Sequence, residues 1–331
     1  MAKNPIISVI LASYNHVRFV GKALKSVLNQ SIKDIEVIVV DDGSTDGTSE
    51  IIDGIKDLRI HLLKLKENRA IHPRNLALSF AKGKYIAFQN SDDEWLETKL
   101  EKQLEIFEKN KSIAACFTAV KIINENGWEQ KETWVRGMFK TENHTQTEWL
   151  RHFFDYGNCL AIASAMIKKN TILKLGGFRE SLVQLSDFDL WIRLAGIGNF
   201  FIIPEQLTKI RIIGYTNFSA PSGEALRRNE FEFAEVLERY LEKPVSKLLH
   251  NIFKDIPTPN NSSELIYSVS LIRYAWKINT PHHRLFANKS FGKLIDDKNK
   301  RKIIVEIFGS DIIHKYIYNK STIEYSLKTT V

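Results

Sequence analysis

The chain has 331 residues, is 44% hydrophobic and 26% charged, and carries a formal charge of +8. This is the composition of an ordinary globular protein with room for one large domain or two smaller ones. It excludes a membrane-spanning protein, because no apolar run approaches the roughly 18–20 residues a span requires. It also excludes a disulfide scaffold, because the only cysteines, Cys116 and Cys159, stand far apart among apolar residues.

In chain order, residues 6–12 (IISVILA) form a buried-strand run that stops at Ser13, Tyr14, Asn15 and His16. Val17, Val20, Leu24, Val27 and Leu28 recur at helical spacing and predict a helix over 17–29. Residues 35–40 (IEVIVV) are a second strand, ending in Asp41, Asp42, Gly43 and Ser44, with a short helix to about residue 55. A third strand covers 60–65. Pro73 suits the first position of a helix running to Phe80, which Lys82 and Gly83 end. Residues 85–89 are a fourth strand, and it runs into Asn90, Ser91, Asp92, Asp93 and Glu94. Strands alternating with helices predict an α/β fold, a mostly parallel sheet with helices on both faces.

In such a sheet the carboxyl ends of the strands share one edge, where ligands bind. The polar residues at 13–15, 41–42 and 90–93 therefore converge. Each set alone reads equally well as a turn or a helix cap. Together they predict a nucleotide site, with carboxylates placed to accept from a base or ribose and to hold a hard cation beside phosphates.

The second half is less regular. A helix over 97–110 leads to a strand at 113–118, and Asn124 to Gly127 signals a turn. Trp128, Trp134 and Trp149 serve either as core or as stacking platforms for sugars. A strand at 161–168 and a short helix from Asn170 precede Ser186, where Phe188, Trp191, Ile192 and Ala195 take helical spacing. Asp187 falls in that helix's first turn, which stabilises a carboxylate. Strands at 200–203 and 207–212 follow. Helices are expected at 227–241, 264–278 and 302–308. Residues 1–215 carry a net +3 and residues 216–331 a net +5, so the second part favours anionic surfaces more. No nucleic-acid motif accompanies it.

The ordered segments 8–15 (SVILASYN), 39–46 (VVDDGSTD), Arg74 with Asn75, and 85–95 (YIAFQNSDDEW) resemble family 2 glycosyltransferases of the GT-A fold. The resemblance is close over about the first 105 residues and continues more weakly to about residue 215. It divides the chain into a GT-A-like domain at 1–215 (a nucleotide-binding half, 1–105, and an acceptor half, 106–215) and a helical extension at 216–331.

That resemblance implies an inverting enzyme using a nucleoside diphosphate sugar, most simply a UDP-sugar, with Mg2+ or Mn2+. Its motifs place Ala12, Ser13, Tyr14, Asn15, Asp41, Asp42, Arg74, Asn90 and Ser91 around the nucleotide. They place Asp92 and Asp93 on the metal and Asp187 as the catalytic base. The family's first motif acid is Asn90 here, its usual Pro is Ala12, Ser186 replaces a Glu, and Ile212, Ile213 and Gly214 stand where a metal-binding His is usual. The acceptor implied is a glycan or lipid-linked sugar in the cytoplasm, with peripheral membrane contact through the C-terminal part. Two alternatives stay open: a non-catalytic nucleotide-sugar binding module, and a sugar nucleotidyltransferase. The latter needs a Gly-rich phosphate loop that residues 11–19 lack.

Overall fold

Strand β1 (Ile7–Ser13) is buried at every position but Ala12, and β2 (Ile35–Asp41) at every position. Runs buried on both faces belong in the middle of a parallel sheet covered by helices. The computed structural model describes residues 4–68, 72–131, 133–135, 137–139, 142–214, 221–259 and 263–318. Its chain folds as two compact units. One comprises residues 1–146 and 158–221, the other 147–157 and 222–331.

The first unit contains α1 (Val20–Leu28), α2 (Thr48–Gly54), β3 (Ile60–Lys64), α3 (Pro73–Phe80), β4 (Tyr85–Asn90), β5 (Glu94–Trp95), α4 (Lys99–Lys109) and β6 (Ile113–Ile123). After α5 (Gln146–Tyr156), which lies mostly in the second unit, come β7 (Met166–Lys168), α6 (Lys169–Lys174), α7 (Ser186–Ala195) and β8 (Asn199–Arg211). The strands form one sheet in the order β3-β2-β1-β4-β7-β6-β8-β5. β1, β2, β3 and β4 run parallel, as do β6 and β8; β7 runs against both its neighbours, and β5 against β8.

Alternation sends Ile7, Val9 and Leu11 to the same core as Val20, Ala23, Leu24 and Val27 of α1. These α1 positions repeat at the spacing of one helix face. Removing such a side chain, as in Leu24→Ala, costs about 2–5 kcal/mol.

Three local expectations are corrected. The strands expected at 200–203 and 207–212 are one strand, β8, because a bulge absorbs Pro204 and Glu205: Thr118 pairs with Ile203 but Ala119 with Gln206. A bulge is where a strand tolerates proline. The strand expected from residue 161 begins with a 3-10 turn, Ile162–Ser164, before β7. The acidic loop after β4 ends in β5, where Glu94 pairs with Lys209 and Trp95 with Thr208. That pairing ties the loop to the far edge of the sheet.

The second unit holds most of α5, then α8 (Gly223–Leu237), α9 (Leu249–Ile252), α10 (Glu264–Ile278), α11 (Pro281–Asp296) and α12 (Lys298–Phe308). The boundary expected at residue 215 passes over 147–157. Phe154 packs edge-on against Tyr240, Phe253 and Phe286. Arg151 bridges Asp155, Asp255 and the Tyr274 hydroxyl. Trp149, Leu150, Phe153 and Phe154 make this helix's buried stripe, so Trp149 is core. Trp128 is 73% exposed, and Trp134 donates to the Gly214 carbonyl at 3.2 Å. Both cysteines are buried, and neither is in a disulfide. Among the described residues, no helix is long and apolar enough to cross a membrane.

Candidate active site

The register of β1 sets Ala12 beside Val40 and Asn90, and Ser13 beside Asp41. The three predicted strand-end sets thus share one edge. The loops after β1 and β2 are tied by side-chain bonds. Asn15, at φ 50°, donates its backbone N–H to Ser44 Oγ (2.9 Å), and its side-chain Oδ1 accepts from the Thr45 N–H (2.9 Å). His16 N–H donates to Thr48 Oγ1 (2.8 Å), and Val17 N–H to Asp46 Oδ2 (3.0 Å). Tyr14 is 45% exposed at this rim. Ser13 Oγ is buried with no hydrogen-bond partner among the described residues.

Asp41 and Asp42 differ in use. Asp41 accepts from the Ser44 and Ser49 hydroxyls, one on each carboxylate oxygen. These two bonds tie its loop to the start of α2. Asp42, also buried, takes Asn68 Nδ2 on its carboxylate at 3.1 Å.

At the end of β4 the amide of Asn90 bridges two groups. Its Oδ1 accepts from Arg74 Nη2 (3.1 Å), and its Nδ2 donates to Asp93 Oδ2 (2.9 Å). An aspartate there would lose the second bond and oppose Asp93, so the departure from the family's acid has a structural reason. Asp93 Oδ1 takes the Arg211 backbone N–H (2.8 Å). Burial, and next the charge of Asp92, push the Asp93 carboxyl well above its ordinary value. Asp93 is thus buried, with each carboxylate oxygen already accepting one hydrogen bond. Asp92 remains half-buried; burial raises its carboxyl, and His16 and Arg211 draw it down. Ser91 Oγ lies 2.6 Å from His16 Nδ1.

The buried guanidinium of Arg211 holds this loop from the β8 side. It donates to the carbonyls of Asp92 (2.8 Å), Asn124 (2.8 Å) and Glu125 (3.0 Å), and pairs with Glu94. Its anchoring role depends on contacts 86 to 119 residues away along the chain, which no spacing reveals.

Arg74 is placed from α3. Its guanidinium lies 5.8 Å from the Phe178 ring, which also stacks on His72 at 5.0 Å. Asn75 fixes that ring by accepting from the Phe178 N–H (2.9 Å) and donating to its carbonyl (2.8 Å). Gly177, at φ 72°, lies so close that a Cβ would stand 2.6 Å from Asn75 Oδ1.

Asp187 sits in the first turn of α7 and is half-buried. It accepts from the Phe188 N–H (2.7 Å) and, at 3.4 Å, from Asn158 Nδ2. Burial pushes its carboxyl up to about 6, with Arg74 the largest opposing influence. Asp189, two residues on, is fully buried and bound by Arg193 at 2.6 Å, with Arg179 at 3.7 Å. Arg193 also donates to the carbonyls of Leu175 and Gly177 (both 2.8 Å). Asp189 is therefore part of the scaffold, and Asp187 is the carboxylate available for chemistry. The edge can hold a polyanion against Arg74 and accept a proton at Asp187. Among the described residues no three His, Cys, Asp or Glu are grouped to bind a metal unaided.

The family described as Glycosyl transferase family 2 matches residues 8–169. An uncharacterised glycosyltransferase of Methanocaldococcus jannaschii is 36% identical over 220 residues, 65% of this chain and 73% of that protein. A UDP-Glc:alpha-D-GlcNAc-diphosphoundecaprenol beta-1,3-glucosyltransferase of Escherichia coli is 32% identical over 194 residues, 58% and 71% of the two chains. Some other relatives are longer, and the chain spans 33% and 34% of two of them. The crystal structure of S. aureus TarS residues 1–349 with UDP-GlcNAc superposes with a TM-score of 0.55 at 18% identity, over 86% of this chain and 92% of that one.

Proposed function

The chain belongs to glycosyl transferase family 2, and from that premise we propose that it transfers a sugar from a UDP-sugar to a glycan or lipid-linked acceptor, inverting the anomeric centre, with a divalent cation assisting. The observation that carries this reading is one edge joining the strand-end loops, Arg74 on Asn90, and a raised, half-buried Asp187. The orphaned Ser13 hydroxyl and the rim side chains Tyr14 and Asp42 suit a nucleoside. The UDP choice is supported by the names of the Escherichia coli relative and the superposed structure.

In the reaction, the acceptor oxygen attacks the anomeric carbon as its proton passes to Asp187. The bond to the diphosphate breaks on the opposite side, which inverts the carbon and leaves the electron pair on the diphosphate oxygen. Asp187 acts ionised, and its value near 6 leaves it so at neutral pH while keeping it a useful base. Arg74 lies where it can neutralise the departing diphosphate. Asp92 fits a Mg2+ or Mn2+ site that the diphosphate completes. The ion would supply further charge neutralisation there.

Release of UDP from a panel of UDP-sugars, with Mg2+, Mn2+ or chelator, tests this. Transfer that needs a cation and stops in Asp187→Asn supports it. Nucleotide-sugar binding with no turnover on any acceptor makes the protein a binding module. Equal affinity and equal turnover with and without cation remove the metal.

We also place the enzyme at a cytoplasmic membrane face. In the second unit, Lys300, Arg301 and Lys302 of α12 are exposed beside Ile303 (41%) and Ile307 (38%), a basic surface with apolar insertions that suits anionic lipid. Failure to co-sediment with anionic vesicles at low salt rejects this placement.

A further inference from the structure

The loop after β1 carries a histidine to which no role has yet been given. His16 Nδ1 lies 2.6 Å from Ser91 Oγ, and the ring meets Phe19 edge-on at 6.2 Å between centroids. The backbone below it is fixed by the Thr48 hydroxyl at 2.8 Å. No described residue hydrogen-bonds Nε2, and the residue is half-buried, so that nitrogen is open to a ligand. His16 also interacts electrostatically with Asp92, the next residue after its Ser91 partner.

A histidine that ligates a metal through one nitrogen usually donates the other N–H to an oxygen, which fixes tautomer and ring orientation. The contact between Nδ1 and Ser91 Oγ suits the tautomer that donates from Nδ1, which leaves the lone pair on Nε2. Asp93 is committed to Asn90 and Arg211, and Ile212, Ile213 and Gly214 supply no histidine. Among these residues Asp92 alone offers a free carboxylate oxygen, so any second protein ligand comes from elsewhere on the edge.

We propose that His16 Nε2 and the Asp92 carboxylate form the protein side of the cation site, with donor diphosphate oxygens and water completing the shell. This rests on the metal-assisted reading above. A mixed imidazole and carboxylate set suits Mn2+, whereas Mg2+ favours oxygen alone.

The test uses the full chain with Mn2+ and saturating UDP, or GDP should UDP not bind. Electron spin-echo spectroscopy of the bound Mn2+ should show modulation from a coordinated 14N, altered by 15N-histidine labelling. His16→Asn keeps an amide near the Nδ1 position for Ser91 but removes the distal nitrogen. It should abolish the modulation and weaken Mn2+ binding in calorimetry by roughly 10–100-fold, with nucleotide affinity in chelator unchanged. His16→Gln puts its amide near the Nε2 position instead and gives up the Ser91 bond; it should also lose the nitrogen signal. If Mn2+ binds with nucleotide and shows no nitrogen, or the signal persists in His16→Asn, the proposal is overturned while the metal-assisted reading stands. If Mn2+ does not bind even with nucleotide, both fall.

Discussion

The loops after β1 and β2 and the first turn of α7 use the same residue types in opposite ways. In the loops, acids are saturated. Asp41 takes two hydroxyls; at Asp46 burial works to raise the carboxyl, but the Thr48 hydroxyl and the Val17 and Thr48 N–H groups together hold it below the ordinary range. At α7, Asp187 has one short bond, one long one, and a carboxyl raised to about 6. The contrast repeats within one helix turn, since Asp189 is buried and bound by two arginines. Satisfied carboxylates build this edge, and under-satisfied ones are left for chemistry, where a perturbed value is useful.

The comparison is tested most strongly by replacing each carboxylate with its amide. Asp187→Asn should lower turnover by roughly 10²–10⁴-fold, measured as UDP release, with donor binding kept. Near-normal turnover would remove Asp187 as the base. Asp189→Asn should act on folding instead. It leaves the buried Arg193 without its charge partner, which costs about 3–5 kcal/mol in denaturant unfolding. A variant of full stability would break the distinction between the two acids.

A smaller effect is expected in the loops. Asp41→Asn replaces a carboxylate oxygen that accepts a hydroxyl with a donor, costing about 1–3 kcal/mol of stability. Its chemical step, read in single turnover with saturating donor, should stay close to wild type.

The pH dependence sharpens the contrast further. In the proposed reaction Asp187 works ionised, so kcat/KM should rise with pH through about 6 and level above it. Arg74 draws that value down, so Arg74→Gln should move the acid limb to higher pH as well as lower the rate. The same raised value works against folding. A carboxyl whose folded value exceeds its unfolded one is destabilising once ionised, so this cost grows between about pH 4 and 6 and persists above. Allowing for its partial exposure, Asp187→Asn should be about 1 kcal/mol more stable than wild type at pH 7 and nearly equal to it at pH 3.5.

Much of the first unit was legible because its signals are local. Apolar runs marked β1, β2 and β4, and the 3–4 spacing of Val20, Leu24 and Val27 marked α1. The position of Asp187 in a helix's first turn was likewise visible in the spacing of Phe188, Trp191 and Ile192. Trp149, Leu150, Phe153 and Phe154 also carry helical spacing, but that spacing does not say which unit the stripe packs into.

The sequence by itself determined the first four strands with the helices between them, and which polar residues end at the sheet's carboxyl edge. Those properties depend on periodicity and on the direction of parallel strands. Only the tertiary structure decided how the polar atoms are divided between scaffold and site. Asp93 is closed by a backbone N–H 118 residues away, Asp92 stays half-open beside it, and His16 reaches Ser91 across 75 residues. A hydrogen bond is settled within a few tenths of an ångström. Residue type and spacing fix which face a side chain occupies, but not which partner it meets there.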